Sequence, residues 1–403
     1  MKNKKMTIHL VSIIAFICIS YTANFCQDRL LSVSQAVSIA EKNYDGLERG
    51  RLEVKQKQIL SEGGVPMPFT QLSLSGEEFG AGEYPGIYSI NAQQSFYLPK
   101  VSRTHNDYYK KGAELAKLNL KLSEQELKWN VEQAYLQLLY AKEEQALIDD
   151  LIKLYDNFLS TVNSKIESGE TGKIPQLATI SQLRQITLEK DKIVNQHRVA
   201  KEVFNQWLQS DTVFYVEGNL TLPEVTPNDT SVFMSIHIQA ARANQEIARA
   251  VVEKEKAKLL PQINIGLKLQ TISGDFPLFG YQVGVNVPLF KKGYDHRIEA
   301  AEVEVKAQEA DVRTRHHKLT MKISKIKYEI QHQIKSLDYL NKELIPVVIE
   351  QKDLISKAYL EGETSYLELL RSLEQEVDVK RQILFALYRI NALKIELDYW
   401  ISG

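Results

Sequence analysis

The chain contains very little cysteine, and this shortage limits its covalent and metal chemistry. Only Cys18 and Cys26 occur among 403 residues. Cys18 lies in an N-terminal segment that we expect to be removed, so the mature chain forms no internal disulfide and no cysteine metal site. Cys26 could be a lipid-modified first residue, but the bulky Phe25 before it is a poor lipidation signal. The sequence leaves this acylation open.

An excess of charge of one sign is also missing. The 50 Lys and Arg residues balance 51 Asp and Glu residues, which gives no support for a nucleic-acid partner. The mean hydropathy of −0.27 argues against a helical membrane protein. One apolar run, residues 10–19, follows three lysines and predicts a signal peptide at residues 1–26. The alternative is an uncleaved N-terminal anchor helix.

Catalytic and metal-binding motifs are absent from the sequence. We find no phosphate loop, no nucleophile elbow and no paired catalytic carboxylates, so we predict a non-enzymatic protein without a cofactor. The adjacent His316 and His317 would point about 100° apart on a helix and could not converge on one metal ion. Any energy source must therefore lie in a partner.

An internal repeat organises what the sequence does contain. Three pairs of landmarks recur at one offset of 193 residues: Pro68 and Pro261, Tyr88 and Tyr281, and Gly169 and Gly362. We interpret the mature chain as two copies of one unit. Each copy is predicted to run from a helix through two strands to a pair of long helices. We place the first repeat at 27–210 (strand hairpin 68–99, helix hairpin 102–210), a connector at 211–229, and the second repeat at 230–403 (strand hairpin 261–290, helix hairpin 293–402).

Alternation of apolar and polar residues predicts four strands. It is clearest from Ile263 to Leu269 and from Tyr281 to Val287, and weaker from Leu72 to Leu74 and from Tyr88 to Ala92. A strand of about ten residues can cross a bilayer when it is tilted. Aromatic residues near the strand ends suit the two membrane interfaces: Phe69, Phe79, Tyr84, Phe96, Tyr97, Phe276, Phe279 and Phe290. The alternative is two hairpins of a soluble sheet.

Long uninterrupted segments predict unusually long helices. From Thr104 to Ile166 no proline or turn cluster occurs, which allows a helix on the order of 90 Å. Pro346 should bend the second long helix. Glycines around Gly169 and Gly362 should end helices in left-handed turns. Apolar steps of three and four predict coiled-coil seams, as at Ile148, Leu151, Tyr155, Phe158 and Val162.

Four membrane strands cannot close a barrel, so the chain must associate. An open sheet edge would leave backbone groups without partners in lipid. Three copies supply about twelve strands and about twelve long helices, and one threefold axis closes both rings. We therefore predict a mainly α fold with transmembrane β-structure: a trimeric 12-stranded outer-membrane β-barrel, continued by a long α-helical periplasmic barrel.

The chain resembles the TolC-type outer-membrane efflux factors over essentially its whole mature length. Three segments carry the resemblance: residues 31–43, the strand exit at 287–293, and the helix turn at 344–370. The resemblance implies a homotrimer embedded in outer-membrane lipid, with a periplasmic adaptor (membrane fusion) protein and an inner-membrane RND-type pump as partners. It places the connector in an equatorial belt. The first strand exit, 94–103, looks closer to the heavy-metal cation branch.

The resemblance also implies a periplasmic gate at the two helix turns. Glu368 matches an acidic position that narrows the entrance in the family, whereas the next such position is Arg371 here. A Glu368–Arg371 pair could form a contact instead of a second acidic ring. The predicted gate comprises Glu368, Arg371, Gly169, Glu170, Gly362 and Glu363. The alternative is that all of them are solvated turn residues.

Two other functions compete with an efflux duct. A non-conducting periplasmic coiled-coil adaptor or scaffold would explain the export and the helices, but not two matched strand hairpins. A duct for type I protein secretion, or for small drugs, would share the whole architecture. The sequence does not separate these cargoes.

Overall fold

The computed structural model describes residues 29–77, 86–224, 232–272 and 275–402. The predicted signal peptide, the Cys26 acylation site and the aromatic residues Phe79 and Tyr84 lie outside these ranges. The predicted connector is described up to residue 224.

Long helices dominate the described chain, and all four predicted strands are present. The elements, in chain order, are β1 (Arg29–Leu31), α1 (Val33–Asn43), α2 (Asp45–Glu62), β2 (Gln71–Glu77), β3 (Ile87–Tyr97), α3 (Pro99–Glu167), α4 (Lys173–Leu208), β4 (Phe214–Val216), α5 (Ile236–Ala257), β5 (Gln262–Ile272), β6 (Asp275–Asn286), α6 (Lys292–Tyr339), α7 (Ile345–Glu361) and α8 (Tyr366–Ile401). A 3-10 turn covers Val232–Met234, and a π-helical turn covers Leu340–Leu344. Within the described ranges, every helix is too short or too polar for a membrane span.

The chain divides into two compact units. The first comprises the residues up to Tyr44, Leu127–Thr226 and Tyr328–Glu396, and the second comprises Asp45–Glu126, Pro227–Lys327 and the residues from Leu397 onward. Each unit therefore contains segments from both predicted repeats.

Helix packing forms the core of the first unit. The predicted seam of α3 is buried along its length, from Ile148 to Val162, and packs against residues of α4, α7 and α8. Burying one large apolar side chain stabilises a fold by about 1.5–3 kcal/mol. The helices of this unit are thus held by narrow apolar stripes, while their other faces remain polar.

A small parallel sheet, which the sequence analysis did not predict, also belongs to the first unit. Strands β1 and β4 pair along their whole length, with Arg29 opposite Phe214 and Leu31 opposite Val216. The hydroxyl of Tyr135 donates to the carbonyl oxygens of Leu31 (3.1 Å) and Glu217 (2.6 Å). This tyrosine anchors both strands to α3.

Pro346 interrupts the second long helix at the predicted place. Its ring nitrogen has no N–H to donate, so the regular hydrogen-bond ladder cannot continue through it. The preceding residues, Leu340–Leu344, wind as a π-helical turn between α6 and α7. At the matching position of the first repeat, Lys153, helix α3 continues without a break.

The second unit contains a four-stranded antiparallel sheet with the order β2-β3-β5-β6. Strand β3 pairs with β5 from Ser89 to Tyr97, which joins the two predicted hairpins into one sheet. Helix α3 begins two residues after the end of β3, and helix α6 follows β6 after the short segment 287–291. Each long helix therefore starts close to the end of a strand.

Candidate functional site

Cross-strand register collects the apolar residues of the sheet on one face. Leu72, Ala92, Leu267 and Tyr281 form one row across the four strands. The next row comprises Leu74, Ile90, Leu269 and Phe279. These side chains are not covered by the chain itself: Leu74 is 81% exposed, Phe279 83% and Tyr281 85%. The sheet thus presents a continuous apolar face without a covering layer.

The opposite face is polar, and its side chains bond to one another. Ser75 and Ser89 share a hydrogen bond of 2.7 Å, and the hydroxyl of Ser95 donates to the Asn264 amide oxygen at 2.6 Å. Ser89 is only 4% exposed and Asn264 only 5%. The sheet is therefore inverted relative to a soluble protein, with its apolar side chains outside. This observation argues against the alternative of two hairpins in a soluble sheet, because a soluble sheet would bury its apolar rows.

Both edges of this sheet are open. Within the described residues, β2 pairs only with β3, and β6 pairs only with β5. An unpaired strand edge beside an apolar face is unstable in lipid and prone to pair with another chain in water. The sheet needs further strands on both sides, and the described part of the chain does not supply them.

The two helix hairpins of the first unit end in matching turns. Gly169 and Gly362 adopt positive φ angles of 78° and 81°. The next residue in each turn donates its N–H five residues back, from Glu170 to Lys165 O (2.9 Å) and from Glu363 to Ala358 O (2.8 Å). These bonds close the helix ends as left-handed caps, as the glycines predict.

Lys165 joins the two turns. Its ammonium group donates to the carbonyl oxygens of Tyr359 (3.0 Å) and Leu360 (3.3 Å), and lies 4.9 Å from the centre of the Tyr359 ring. It also lies 3.8 Å from the Glu170 carboxylate. A cation at the C-terminal end of α7 satisfies carbonyl groups that the helix leaves open. Lys165 therefore connects α3 to the end of the other hairpin.

Glu368 caps the first turn of α8. Its carboxylate accepts from the N–H of Ser365 (3.4 Å) and from the Thr364 hydroxyl, and its own N–H donates to the Ser365 hydroxyl (3.4 Å). This is a capping box, which the sequence Ser365-Tyr366-Leu367-Glu368 could have predicted. Among the described residues, Glu368 forms no ion pair with Arg371. The predicted Glu368–Arg371 contact is therefore absent.

Exposed carboxylates surround these turns. Glu170, Glu363 and Glu368 are all exposed, and so is Arg371. The structure brings the six predicted gate residues to the ends of the two hairpins in one unit. Their role in gating remains a prediction.

A match to a known family covers the second part of the chain. Residues 235–398 match the family described as Outer membrane efflux protein. The matched segment lies within the second predicted repeat. It contains β5, β6 and both helices of the second hairpin. No curated protein sequence matches the chain.

Solved structures extend the likeness to 92% of the chain. CusC, a protein that forms a transmembrane channel, has a TM-score of 0.77 at 15% identity, with 92% of each chain covered. VceC from Vibrio cholerae has a TM-score of 0.74 at 14% identity, and the match covers 92% of this chain and 96% of VceC. MtrE from Neisseria gonorrhoeae, in an open state, has a TM-score of 0.70 at 16% identity, and the match covers 92% of this chain and 89% of MtrE. The shared feature is the fold, which confirms the predicted TolC-type architecture.

Two carboxylates on α8, the buried Glu376 and the half-buried Glu374, were not selected by the sequence analysis. Glu374 accepts from the Tyr155 hydroxyl (3.3 Å) and the Gln182 amide (2.7 Å), which connects α8 to α3 and α4. Glu376 lies 2.7 Å from the Lys380 ammonium and 3.2 Å from that of Lys352. In the sequence, only their position beside the seam residues Leu373 and Val377 could have indicated that Glu374 and Glu376 contact other helices.

These contacts shift the pKa values of the groups involved. Burial favours a neutral Glu376, but its hydrogen bonds with Lys380 and Lys352 outweigh that effect and lower its pKa. Burial also opposes charge on Lys352, yet the Asp353 and Glu376 carboxylates raise its pKa. Burial and the Glu374 charge raise the pKa of Tyr155, so its hydroxyl stays protonated and donates.

The histidines do not form a metal site in the described structure. The rings of His316 and His317 have centroids 6.3 Å apart at an interplanar angle of 76°. No group of three or more His, Cys, Asp or Glu side chains in the described ranges is placed to hold a metal ion.

Proposed function

We propose that three copies of this chain form an efflux channel in the bacterial outer membrane. The sheets of the three copies join edge to edge into a 12-stranded barrel, with the apolar faces toward lipid and the polar faces toward the channel interior. The long helices continue the wall into the periplasm. The chain acts as a passive exit duct and does no chemistry of its own.

The inverted, open-edged sheet is the observation that supports this proposal most strongly. A face of Leu, Ile, Val and aromatic side chains costs about 25 cal/mol for each Å² that stays in water. A bilayer removes that cost, and neighbouring copies pair the free edges. A non-conducting coiled-coil scaffold, the competing function, has no use for either feature.

The partners of the channel follow from its passivity. We propose that an RND-type pump in the inner membrane supplies the energy, and that a periplasmic adaptor protein joins the pump to the two helix turns. The residues from Gly169 to Glu170 and from Gly362 to Glu368, most of which are exposed, then form the entrance. The acidic side chains there would repel across a threefold axis and help the entrance open.

Three classes of cargo suit this architecture. The first strand exit favours heavy-metal cations, and a secreted protein or a drug would pass through the same architecture. Deleting the gene and comparing tolerance to copper, silver, zinc and detergents would separate metal from drug efflux. Loss of an exported protein from the medium, with tolerance unchanged, would instead support type I secretion.

Conductance tests the channel itself. Outer membranes should yield a detergent-stable trimer that inserts into planar bilayers and produces discrete conductance steps. A protein recovered only as a soluble periplasmic monomer, without conductance, would support the scaffold instead.

A further inference from the structure

A pocket lies in the second unit at the end of the sheet where the long helices begin. Its volume is about 340 Å³, large enough for a small organic anion. Its charged and titratable lining comprises His105, Lys254, Lys258 and Arg297, together with the hydroxyls of Tyr97, Thr104 and Tyr294. No carboxylate lines it. The pocket is therefore cationic on every side that carries charge.

The cations of the pocket are only partly neutralised by the surrounding residues. Lys258 pairs with the Glu255 carboxylate at 2.5 Å. The Lys254 ammonium instead lies 4.5 Å from the centre of the Tyr108 ring, a contact that leaves its charge uncompensated. Neither Lys254 nor Arg297 has an ion pair among the described residues. Burial lowers the pKa of His105, and the nearby Lys254 charge lowers it further.

Two helices add to this potential. Helix α3 begins at Pro99 and helix α6 begins at Lys292, and both contribute first- and second-turn residues to the lining. The N-terminal end of a helix carries a partial positive charge and favours anions. The helix ends strengthen the side-chain charges and do not replace them.

The register shows which face of the sheet the pocket adjoins. Tyr97 and Gln262 line the pocket, and they pair directly with one another in a row of the polar face. Lys268 is the only cation in the four strands, and it lies on that same face. The strands also carry two carboxylates, Glu77 and Asp275. Both lie at the hairpin tips, at the end of the sheet away from the pocket. The polar face near the pocket is therefore positive or neutral.

We propose that this pocket binds anions that carry phosphate or carboxylate groups, and that anionic solutes are consequently among the cargo of the duct. The inference rests on the proposed function, because the channel assigns the polar face to the interior. It deepens that function by naming a substrate class opposite in charge to the heavy-metal cations that the first strand exit suggests.

Calorimetric titration of inorganic pyrophosphate into the purified trimer, in a neutral detergent, tests the site. Wild-type protein should bind pyrophosphate. Lys254→Gln and Arg297→Gln should each weaken binding about ten-fold, because each removes one charge-assisted hydrogen-bond donor. Lys256→Gln is the matched control: Lys256 lies on the same helix, pairs with Glu253 and Glu302 at 3.5 Å, and does not line the pocket. The affinity of the Lys256→Gln variant for pyrophosphate should stay within about two-fold of the wild-type value.

The outcomes separate the pocket from the channel. A wild-type trimer that conducts in planar bilayers but binds no pyrophosphate would overturn the pocket alone. An equal loss of affinity in Lys256→Gln would overturn it too. Binding of phosphatidylglycerol through Lys254 and Arg297, without pyrophosphate binding, would assign the pocket to a lipid headgroup and contradict the interior location. Pyrophosphate binding by protein that never conducts would contradict the duct and leave the anion site standing.

Discussion

Gly169 and Gly362 lie 193 residues apart in the sequence and end α3 and α7 in the same conformation, with φ angles of 78° and 81°. The helices that follow them have identical length: α4 and α8 each contain 36 residues. A duplicated unit explains this agreement most simply. The two copies differ chiefly where Pro346 breaks the second long helix and Lys153 leaves the first intact.

Replacing either glycine by alanine should loosen its turn. A Cβ at Gly169 or Gly362 would meet no atom within 4 Å, so the cost is conformational: about 1–2 kcal/mol for a left-handed residue. Hydrogen exchange of the amides of Glu170 or Glu363 should accelerate about five- to thirty-fold. Gly293→Ala, in open space inside α6 and without a positive φ, should leave exchange at both turns unchanged. Unchanged exchange in Gly362→Ala would refute the cap.

Glu376→Gln should destabilise the first unit in a pH-dependent way. The lowered pKa of Glu376 means that its carboxylate contributes stability above its unfolded pKa, and that this stability is lost as pH falls through the folded pKa. At pH 7 the change leaves two lysines around an uncharged amide, at a cost of about 3 kcal/mol. Urea unfolding at pH 7 and pH 3 should therefore show a gap between variant and wild type that closes in acid. The exposed pair of Asp150 and Lys153 offers the control Asp150→Asn, with little effect at either pH.

A charge on the apolar face of the sheet should impair membrane assembly. Leu267 is 66% exposed, so in a soluble protein Leu267→Lys would be nearly neutral. At the middle of a bilayer the same change costs about 2–4 kcal/mol in each copy. The yield of trimer in the outer-membrane fraction should fall, whereas Gln93→Lys on the polar face should assemble normally. Equal yields for the two variants would contradict lipid contact at Leu267.

The sequence predicted the features that depend on local pattern. Period-two alternation located the strands, because a half-apolar strand must alternate, and the glycines located both turns. The segment from Ser365 to Glu368 also has the spacing of a capping box. The resemblance predicted a gate role for Glu368 and no helix cap. These features are determined by residues within a few positions of one another.

Features that depend on distant contacts were missed. Strands β1 and β4 are three residues each, too short for any periodicity, and Tyr135, distant in sequence, bonds to the C-terminal end of each. Glu374 and Glu376 were not selected, since the sequence does not reveal that Tyr155, Gln182 or Lys352 face them. The cationic pocket likewise gathers residues from segments more than 150 positions apart.

Cross-linking of the two sheet edges tests the central claim most directly. Gln71 on β2 and Gln282 on β6 are exposed edge-strand residues of the polar face. Gln71→Cys combined with cysteine at position 280, 282 or 284 should give, at one register, a covalent trimer on a non-reducing gel. The matched pair Gln71→Cys with Val283→Cys places the two cysteines on opposite faces of the sheet and should not give a covalent trimer. Wild-type protein is the control for cross-links through Cys26. Monomer alone at all three registers, or equal linking in the opposite-face pair, would contradict a barrel built from joined sheets.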